Sequence, residues 1–149
     1  MLIARSLLDE LIAHARADAP NECCGVLAVE PDRSKAGGTA PEGGGRARAV
    51  RVHRAVNTAA SPLRFEVDGR ELLRTIDEIE REGRELGAIY HSHTRTAPYP
   101  SQTDINFAAN WPGVEWIIVG LAAGREPEVR SYLIDGANVQ EVPIEEPPW

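Results

Sequence analysis

The chain has 149 residues, 42% of them hydrophobic, which is enough for one domain with a substantial core but not for two ordinary domains. We therefore expect a single domain over residues 1–149. The 23 acidic and 16 basic residues give a net charge of −7 without a concentrated basic patch. Since binding to a phosphate backbone needs such a patch, this composition argues against nucleic acid as a partner.

The chain shows no feature of a membrane or secreted protein. No apolar stretch approaches the roughly 18 residues that span a bilayer, and acidic residues appear too early at the N-terminus for a secretory signal. We expect a cytoplasmic protein with no membrane partner. Cys23 and Cys24 are adjacent, so strand geometry would point them to opposite faces and strain a disulfide between them. Two reduced, half-buried thiols are expected, without the spacing of a structural zinc site.

The first third of the chain predicts a helix, a strand and a loop. Apolar residues recur at helical spacing and predict an amphipathic helix at about residues 6–18, on whose flank His14 is expected to be solvated or packed rather than a ligand. The apolar run 22–30 predicts a strand with Glu22 at its entrance. Residues 31–46, rich in Gly, Pro, Ala and charge, predict a mobile loop.

The middle of the chain begins with an alternating segment. Residues 48–59 predict a half-buried strand with Val50 and Val52 on one face and His53 on the opposite face, at the surface. Residues 63–68 predict another short strand. The stripe of leucines and isoleucines in 69–83 then predicts a second amphipathic helix.

The rest of the chain adds four strands and one helix. Strands are predicted at 85–91, 115–122, 128–135 and from 138 onward, a helix at 101–111, and a tail at 144–149. There is no regular βαβ repeat. This order of elements predicts a mixed α/β domain with a central, largely antiparallel sheet flanked by helices.

Two histidines stand where the strand at 85–91 ends. His91 and His93 are two residues apart, so both imidazoles face the same side and Ser92 faces the other. Neutral imidazole and carboxylate are good ligands for Zn²⁺, and a hydrolytic site takes three protein ligands and leaves a fourth position for water. Asp104 is the candidate third ligand. A base for that water has to come from elsewhere in the chain.

The same residues also permit a simpler interpretation. An isolated His-x-His occurs by chance in many proteins, and Ser101-x-x-Asp104 is also the pattern of a helix capping box. The two interpretations are compatible, because a helix that begins at Ser101 would present Asp104 rigidly to the histidines. From the residues alone both stay open.

The motif resembles the signature of a known family. His91-Ser92-His93, then seven residues, Ser101, two residues and Asp104, reproduces the H-[ST]-H-x7-S-x-x-D pattern of the JAMM (MPN-plus) metalloproteases. The family also has an upstream glutamate, commonly in an E-x-C-G setting, and this chain has Glu22-Cys23-Cys24-Gly25. The segment VNTAASPLRFEVD is similar to the compact bacterial members. The resemblance implies the MPN fold, related to that of the cytidine deaminases.

The resemblance also implies roles for individual residues. His91, His93 and Asp104 would bind zinc, and Glu22 would be the general base that activates a water molecule and returns the proton to the leaving amine. Ser101 would donate a hydrogen bond to the oxyanion. Glu22 as a solvated strand-edge charge and Ser101 as a helix cap alone are the structural alternatives.

The implied substrate is a small protein. Members of the family cleave the amide or isopeptide bond after the C-terminal Gly-Gly of ubiquitin-like proteins, and the compact bacterial members are similar to an enzyme that releases cysteine from a sulfur-carrier protein. The resemblance therefore implies a zinc metallopeptidase whose partner is a ubiquitin-like or sulfur-carrier protein. Whether the leaving group is cysteine or a lysine side chain, and the oligomeric state, stay open. The alternative is a non-catalytic MPN-type scaffold or a module that binds ubiquitin-like proteins.

Overall fold

A computed structural model describes residues 1–30 and 47–147, so the loop predicted at 31–46 lies outside the described residues. The helices are α1 (Arg5–Asp18), α2 (Gly69–Arg81) and α3 (Gln102–Ala108). The strands are β1 (Cys24–Val29), β2 (Ala49–Ala55), β3 (Glu85–His93), β4 (Glu115–Gly120), β5 (Glu128–Asp135) and β6 (Asn138–Val142). Among the described residues, no helix is long and apolar enough to cross a membrane.

The six strands form one mixed sheet in the order β2-β1-β3-β4-β5-β6. Among the strands of the described residues, β3 and β4 alone run parallel, and every other neighbouring pair is antiparallel. A parallel pair needs a crossover connection, and the segment that contains α3 provides it. The prediction of a mixed, largely antiparallel sheet flanked by helices is therefore confirmed.

Helices cover both faces of the sheet. Leu8, Leu11 and Ala15 of α1 pack in one apolar cluster with residues of one sheet face. Ile79 of α2 and Ala108 of α3 pack in a second cluster on the other face. Strand β1 lies between these layers and is buried at every position, which explains its continuous apolar sequence.

Strand β2 contains a bulge that changes which residues share a face. Its pairing with β1 shifts by one residue, because Ala28 pairs with Arg51 but Val29 pairs with Ala49. Val52 therefore packs with the cluster around α1, whereas Val50 packs against the other cluster. The prediction that the two valines share a face is wrong, since one extra residue reverses the alternation.

Residues 63–68 do not form the predicted strand. The Asn57 side chain donates to the carbonyl of Arg64 (3.0 Å) and accepts from the amide of Glu66 (3.0 Å). These bonds occupy backbone groups that a strand would use for pairing. The segment is instead an irregular connection that leads to Asp68, the N-cap of α2.

The expectation of an unanchored tail at 144–149 does not hold for its first residues. Ile144 packs against the cluster around α1. The amide of Ile3 donates to the carbonyl of Glu145 (2.9 Å), and the amide of Glu145 donates to the carbonyl of Met1 (3.1 Å). These bonds hold the start of the predicted tail against the N-terminal residues.

Candidate metal centre

Strand β3 presents the two histidines of the motif as period-2 geometry predicts. His91 is fully buried and His93 is 7% exposed. Their Nε2 atoms lie 3.1 Å apart, so both rings point to one position. Ser92 lies on the opposite side of the strand, where its hydroxyl accepts a hydrogen bond from the amide of Cys23 (2.8 Å). Ser92 thus fastens β3 to the residue next to Glu22.

Helix α3 brings Asp104 to the histidines. Its carboxylate Oδ2 lies 3.1 Å from Nε2 of His91 and 3.4 Å from Nε2 of His93. The capping box expected from the sequence is present, because Ser101 Oγ accepts from the amide of Asp104 (3.1 Å) and Asp104 Oδ2 accepts from the amide of Ser101 (2.8 Å). The N-terminus of α3 therefore positions the carboxylate while it caps the helix.

These three side chains fit a zinc ion. At the usual Zn–N and Zn–O lengths, two ligands of a tetrahedral zinc ion lie about 3.3 Å apart. The triangle formed by Nε2 of His91, Nε2 of His93 and Oδ2 of Asp104 has sides of 3.1, 3.1 and 3.4 Å. Two imidazoles and one carboxylate are also the ligand types that hydrolytic zinc sites use.

Hydrogen bonding prepares the His93 ring for a metal. Its Nδ1 lies 3.0 Å from the carbonyl oxygen of Ala97, which can only accept, so Nδ1 carries a proton. In the neutral ring, Nε2 is then an unprotonated ligand atom. Burial lowers the pKa of His93, but hydrogen bonds to Asp104 and Ala97 outweigh it and raise the pKa above its ordinary value. Protons therefore compete with a metal for this ring.

The other two groups have opposite preferences for protonation. Burial lowers the pKa of His91, so its imidazole is neutral. Burial opposes ionisation of Asp104, yet hydrogen bonds with His91 and His93 hold the pKa of that carboxyl well below its usual range. An ionised carboxylate and a neutral imidazole are the forms that a divalent cation binds.

Glu22 completes the group from the residue before β1. A carboxylate oxygen of Glu22 and a ring nitrogen from each of His91 and His93 lie within 4.8 Å of one another. Glu22 is only 4% exposed. Burial raises its pKa to about 7, with a further increase from the Asp104 charge and an opposing decrease from His93. The structure thus brings together all four groups that the sequence analysis selected around the metal.

Ser101 lies at the edge of this group. The residue is exposed, and its oxygen already accepts the amide proton of Asp104. A hydroxyl can also donate one hydrogen bond, so the proton of Ser101 is available to a substrate.

Sequence reasoning missed two residues that support the site. Asn57 is buried, and its amide donates to the carbonyl of Glu22 (3.0 Å) while bonding the backbone on both sides of Phe65. Phe65 in turn stacks on the His91 ring, with 4.6 Å between ring centroids and 25° between planes. The position of Asn57 between a strand and a turn indicates that its side chain forms hydrogen bonds with nearby backbone groups. This signal does not predict the bond to Glu22, which is distant in the chain.

The remaining histidines and cysteines lie outside the centre. His14 is packed, as one of the expected alternatives, and its Nδ1 lies 2.7 Å from the hydroxyl of Tyr90. His53 lies on the face opposite Val52, as alternation predicts, but it is half-buried rather than at the surface because Leu72 and Thr75 of α2 lie over that face. Cys23 and Cys24 are free thiols, as expected, but both are fully buried.

Comparisons with known proteins agree with this geometry. A model of the family described as prokaryotic homologs of the JAB domain matches residues 4–135. A CysO-cysteine peptidase of Mycobacterium tuberculosis is 34% identical over 142 residues, which cover 95% of this chain and 88% of the relative. A desampylase of Haloferax volcanii is 34% identical over 122 residues, covering 78% and 77%. The crystal structure of a JAB1/MPN domain protein from Archaeoglobus fulgidus has the same fold, with a TM-score of 0.60, 20% identity and coverage of 98% of both chains.

Proposed function

The chain belongs to the prokaryotic JAB family, and on this premise we propose that it is a zinc-dependent peptidase acting on conjugates of a small ubiquitin-like or sulfur-carrier protein. The bond cleaved is the amide or isopeptide bond after the carrier's C-terminal Gly-Gly. The observation that carries the proposal is the convergence of two imidazoles and one carboxylate, with a buried glutamate beside them. The relatives are named a CysO-cysteine peptidase and a desampylase, which favours a carrier conjugate as substrate.

His91, His93 and Asp104 would hold the zinc ion. Asp104 is preferred over Glu22 as the third ligand because its Oδ2 lies within 3.4 Å of both Nε2 atoms. A bound zinc ion acts as a Lewis acid and lowers the pKa of a coordinated water to about 7.

Glu22 would be the general base. A base acts best when its pKa is near the working pH, and burial raises the pKa of Glu22 to about 7. Its carboxylate takes a proton from the attacking water and delivers it to the leaving nitrogen. The hydrogen bond from Asn57 to the carbonyl of Glu22 keeps the residue in position for both transfers.

Ser101 would donate a hydrogen bond to the oxyanion that develops on the scissile carbonyl. Such preorganised donors stabilise charge that appears only in the transition state. A concave surface formed by Leu63, Phe65 and Phe107 borders Ser101 and Asp104, and it is suited to the acyl side of the substrate. An extended Gly-Gly tail can approach such a narrow site because glycine has no side chain.

The test uses a carrier protein extended beyond its Gly-Gly terminus. Zinc-loaded wild-type protein is expected to release the extension, detected as a mass loss. Glu22→Gln is expected to keep one zinc ion per chain and lose activity by at least about a hundredfold, since it removes a base. His91→Ala is expected to lose the zinc itself.

Glu80→Gln is the matched control, because it makes the same change at an exposed position of α2. Full activity of Glu22→Gln would remove the proposed base. An intact carrier conjugate after incubation with zinc-loaded wild type would contradict the peptidase assignment and favour a non-catalytic carrier-binding module.

A further inference from the structure

A short segment between β3 and α3, residues 97–99, orients the His93 ring. The carbonyl of Ala97 lies 3.0 Å from Nδ1 of His93, and this contact leaves Nε2 as the ligand atom. The amide of Tyr99 donates to the same carbonyl (2.8 Å), which shapes the segment but does not attach it to the sheet. The segment is irregular, and Pro98 has no amide proton for backbone pairing. Contacts from neighbouring elements therefore have to fix the Ala97 carbonyl.

The first such contact comes from Tyr132 in β5. Tyr132 pairs with Trp116 of β4, which meets the His91 ring edge to face, so Tyr132 lies on the sheet face that carries the metal centre. Its side chain is buried, and its hydroxyl donates a hydrogen bond to the carbonyl of Pro98. This bond attaches the segment to the sheet at the residue that follows Ala97.

The second contact comes from Gly120 at the end of β4. Gly120 pairs with His93 in the parallel ladder, so it is the neighbour of this histidine on the next strand. The Pro98 ring packs against Gly120 so closely that an added Cβ atom would lie 2.9 Å from Cδ of Pro98 and 3.1 Å from two further ring atoms. Glycine at this position therefore permits the close approach of the segment to β4.

The two contacts act on the carbonyl that His93 uses. The carbonyl of Ala97 and the ring nitrogen of Pro98 belong to one planar peptide unit, so movement of the Pro98 ring turns that carbonyl. Tyr132 and Gly120 both restrain Pro98. A residue that fixes the tautomer and orientation of a metal-binding histidine affects the affinity for the metal.

We propose that Tyr132 and Gly120 are positioning residues of the metal centre, which fix the segment 97–99 so that His93 presents Nε2 to zinc. The inference rests on the proposed function, because it takes His93 as a zinc ligand. It gives a role in zinc binding to β4 and β5, two strands that carry none of the proposed ligands. Both residues act through Ala97 and His93, and not on the substrate.

The experiment measures zinc affinity by competition with a chromophoric chelator. Tyr132→Phe keeps the ring and removes the hydroxyl that bonds to Pro98, so zinc affinity is expected to fall by about fivefold. This loss is smaller than that for a direct partner of a ligand, because the hydroxyl acts through the Ala97 carbonyl. Gly120→Ala forces the Pro98 ring away from β4 and is expected to lower the affinity by at least about tenfold.

A second measurement follows the hydrogen bond itself. In the zinc-loaded wild type, the Nδ1 proton of His93 is expected to exchange slowly with water and to give a resolved NMR signal, because the Ala97 carbonyl accepts it. In Tyr132→Phe and Gly120→Ala this proton is expected to exchange faster. A general loss of stability would not single out this one proton.

Tyr90→Phe is the matched control. It also removes the hydrogen bond of a buried tyrosine hydroxyl, but this hydroxyl contacts His14 on the opposite face of the sheet. The control variant is expected to lose stability to a similar extent as Tyr132→Phe in urea denaturation, and to keep the zinc affinity of the wild type.

An unchanged zinc affinity in Tyr132→Phe, or an equal loss of affinity in Tyr90→Phe, would overturn the inference and leave the peptidase function intact. This comparison decides the matter even if Gly120→Ala does not fold. A wild-type protein that binds no zinc would instead count against the proposed function, and the inference would fall with it.

Discussion

At the scale of single residues, the Nδ1 side of the His91 imidazole is held by ring packing rather than by a hydrogen bond. The second ring nitrogen of a metal-binding histidine usually donates a hydrogen bond to a carboxylate, a carbonyl or a water molecule. The Nδ1 atom of His91 is buried and has no hydrogen-bond partner among the described residues. The ring instead stacks on Phe65 and meets Trp116 edge to face, with centroids 6.4 Å apart. Phe65 therefore performs the orienting role that a second hydrogen bond has in other sites.

This packing predicts a metal-binding defect in Phe65→Leu. Leucine keeps the site apolar but lacks the flat ring that restrains the imidazole. Zinc affinity is therefore expected to fall by about tenfold, which is the smaller of the losses usually seen when a residue that supports a metal ligand is removed. Competition with a chromophoric chelator measures the change. Phe107→Leu is the control, because Phe107 contacts Phe65 and Trp116 but makes no described ring contact with His91. Equal affinities in the two variants would show that the stacking does not orient the ligand.

At the scale of elements, α3 depends on a serine that has two proposed functions. Ser101 caps the helix that presents Asp104, and its hydroxyl is the proposed oxyanion donor. Alanine at an N-cap costs about 1 kcal/mol relative to serine, whereas glycine costs only a few tenths. The two substitutions therefore separate capping from catalysis.

We expect Ser101→Ala and Ser101→Gly to lose similar activity, by about a hundredfold in kcat, because both remove the donor. Only the alanine variant is expected to lose about 1 kcal/mol in the free energy of unfolding, measured by urea denaturation. Ser101→Thr keeps a hydroxyl and serves as the control. If activity followed stability across the three variants, the serine would be a cap and nothing more.

The elements also show how far the sequence predicts the site. Period-2 geometry places His91 and His93 on one face, and the capping pattern predicts how Asp104 is held, because both relationships are local. Phe65 and Asn57 could not be identified this way. Their partners are distant in the chain, and the irregular segment that carries Phe65 follows from side-chain bonds that compete with strand pairing. The bulge in β2 is an irregularity in the pairing of β2 with β1, so the sequence of β2 alone does not predict it.

At the scale of the whole molecule, the residues of the metal centre are brought together by the antiparallel pair β1–β3 and by the crossover between the parallel strands β3 and β4. Strand β1 places Cys24 opposite His91, which brings the segment of Glu22 to the end of β3. The connection from β3 to the parallel strand β4 contains α3 and returns Asp104 to the same end. Hydrophobic patterning predicted these elements and their class of sheet. The order of strands, which decides that the segments meet, arises from long-range packing that no local pattern encodes.

The burial of Cys23, Cys24 and Tyr90 makes the stability of the protein sensitive to alkaline pH. Burial raises the pKa of Cys23 to about 11 and of Cys24 to about 12, and it also raises the pKa of Tyr90. In the unfolded chain a thiol ionises near pH 8.5. When the pKa of a group is higher in the folded protein than in the unfolded chain, the group's contribution to stability is fully present at pH values below the unfolded-state pKa. This contribution is lost as the pH rises from the unfolded-state pKa to the folded-state pKa.

The metal-free protein is therefore expected to lose stability between pH 8 and pH 10, by about 1.4 kcal/mol or more for each buried thiol. Urea denaturation in the presence of a chelator measures the loss at each pH. The double variant Cys23→Ala, Cys24→Ala has no thiol to ionise, so its free energy of unfolding should fall less over the same interval, whatever its stability at pH 8. An equal decrease in both proteins would mean that the thiols are not protected from ionisation by the fold, and that other groups, such as Tyr90, cause the alkaline sensitivity.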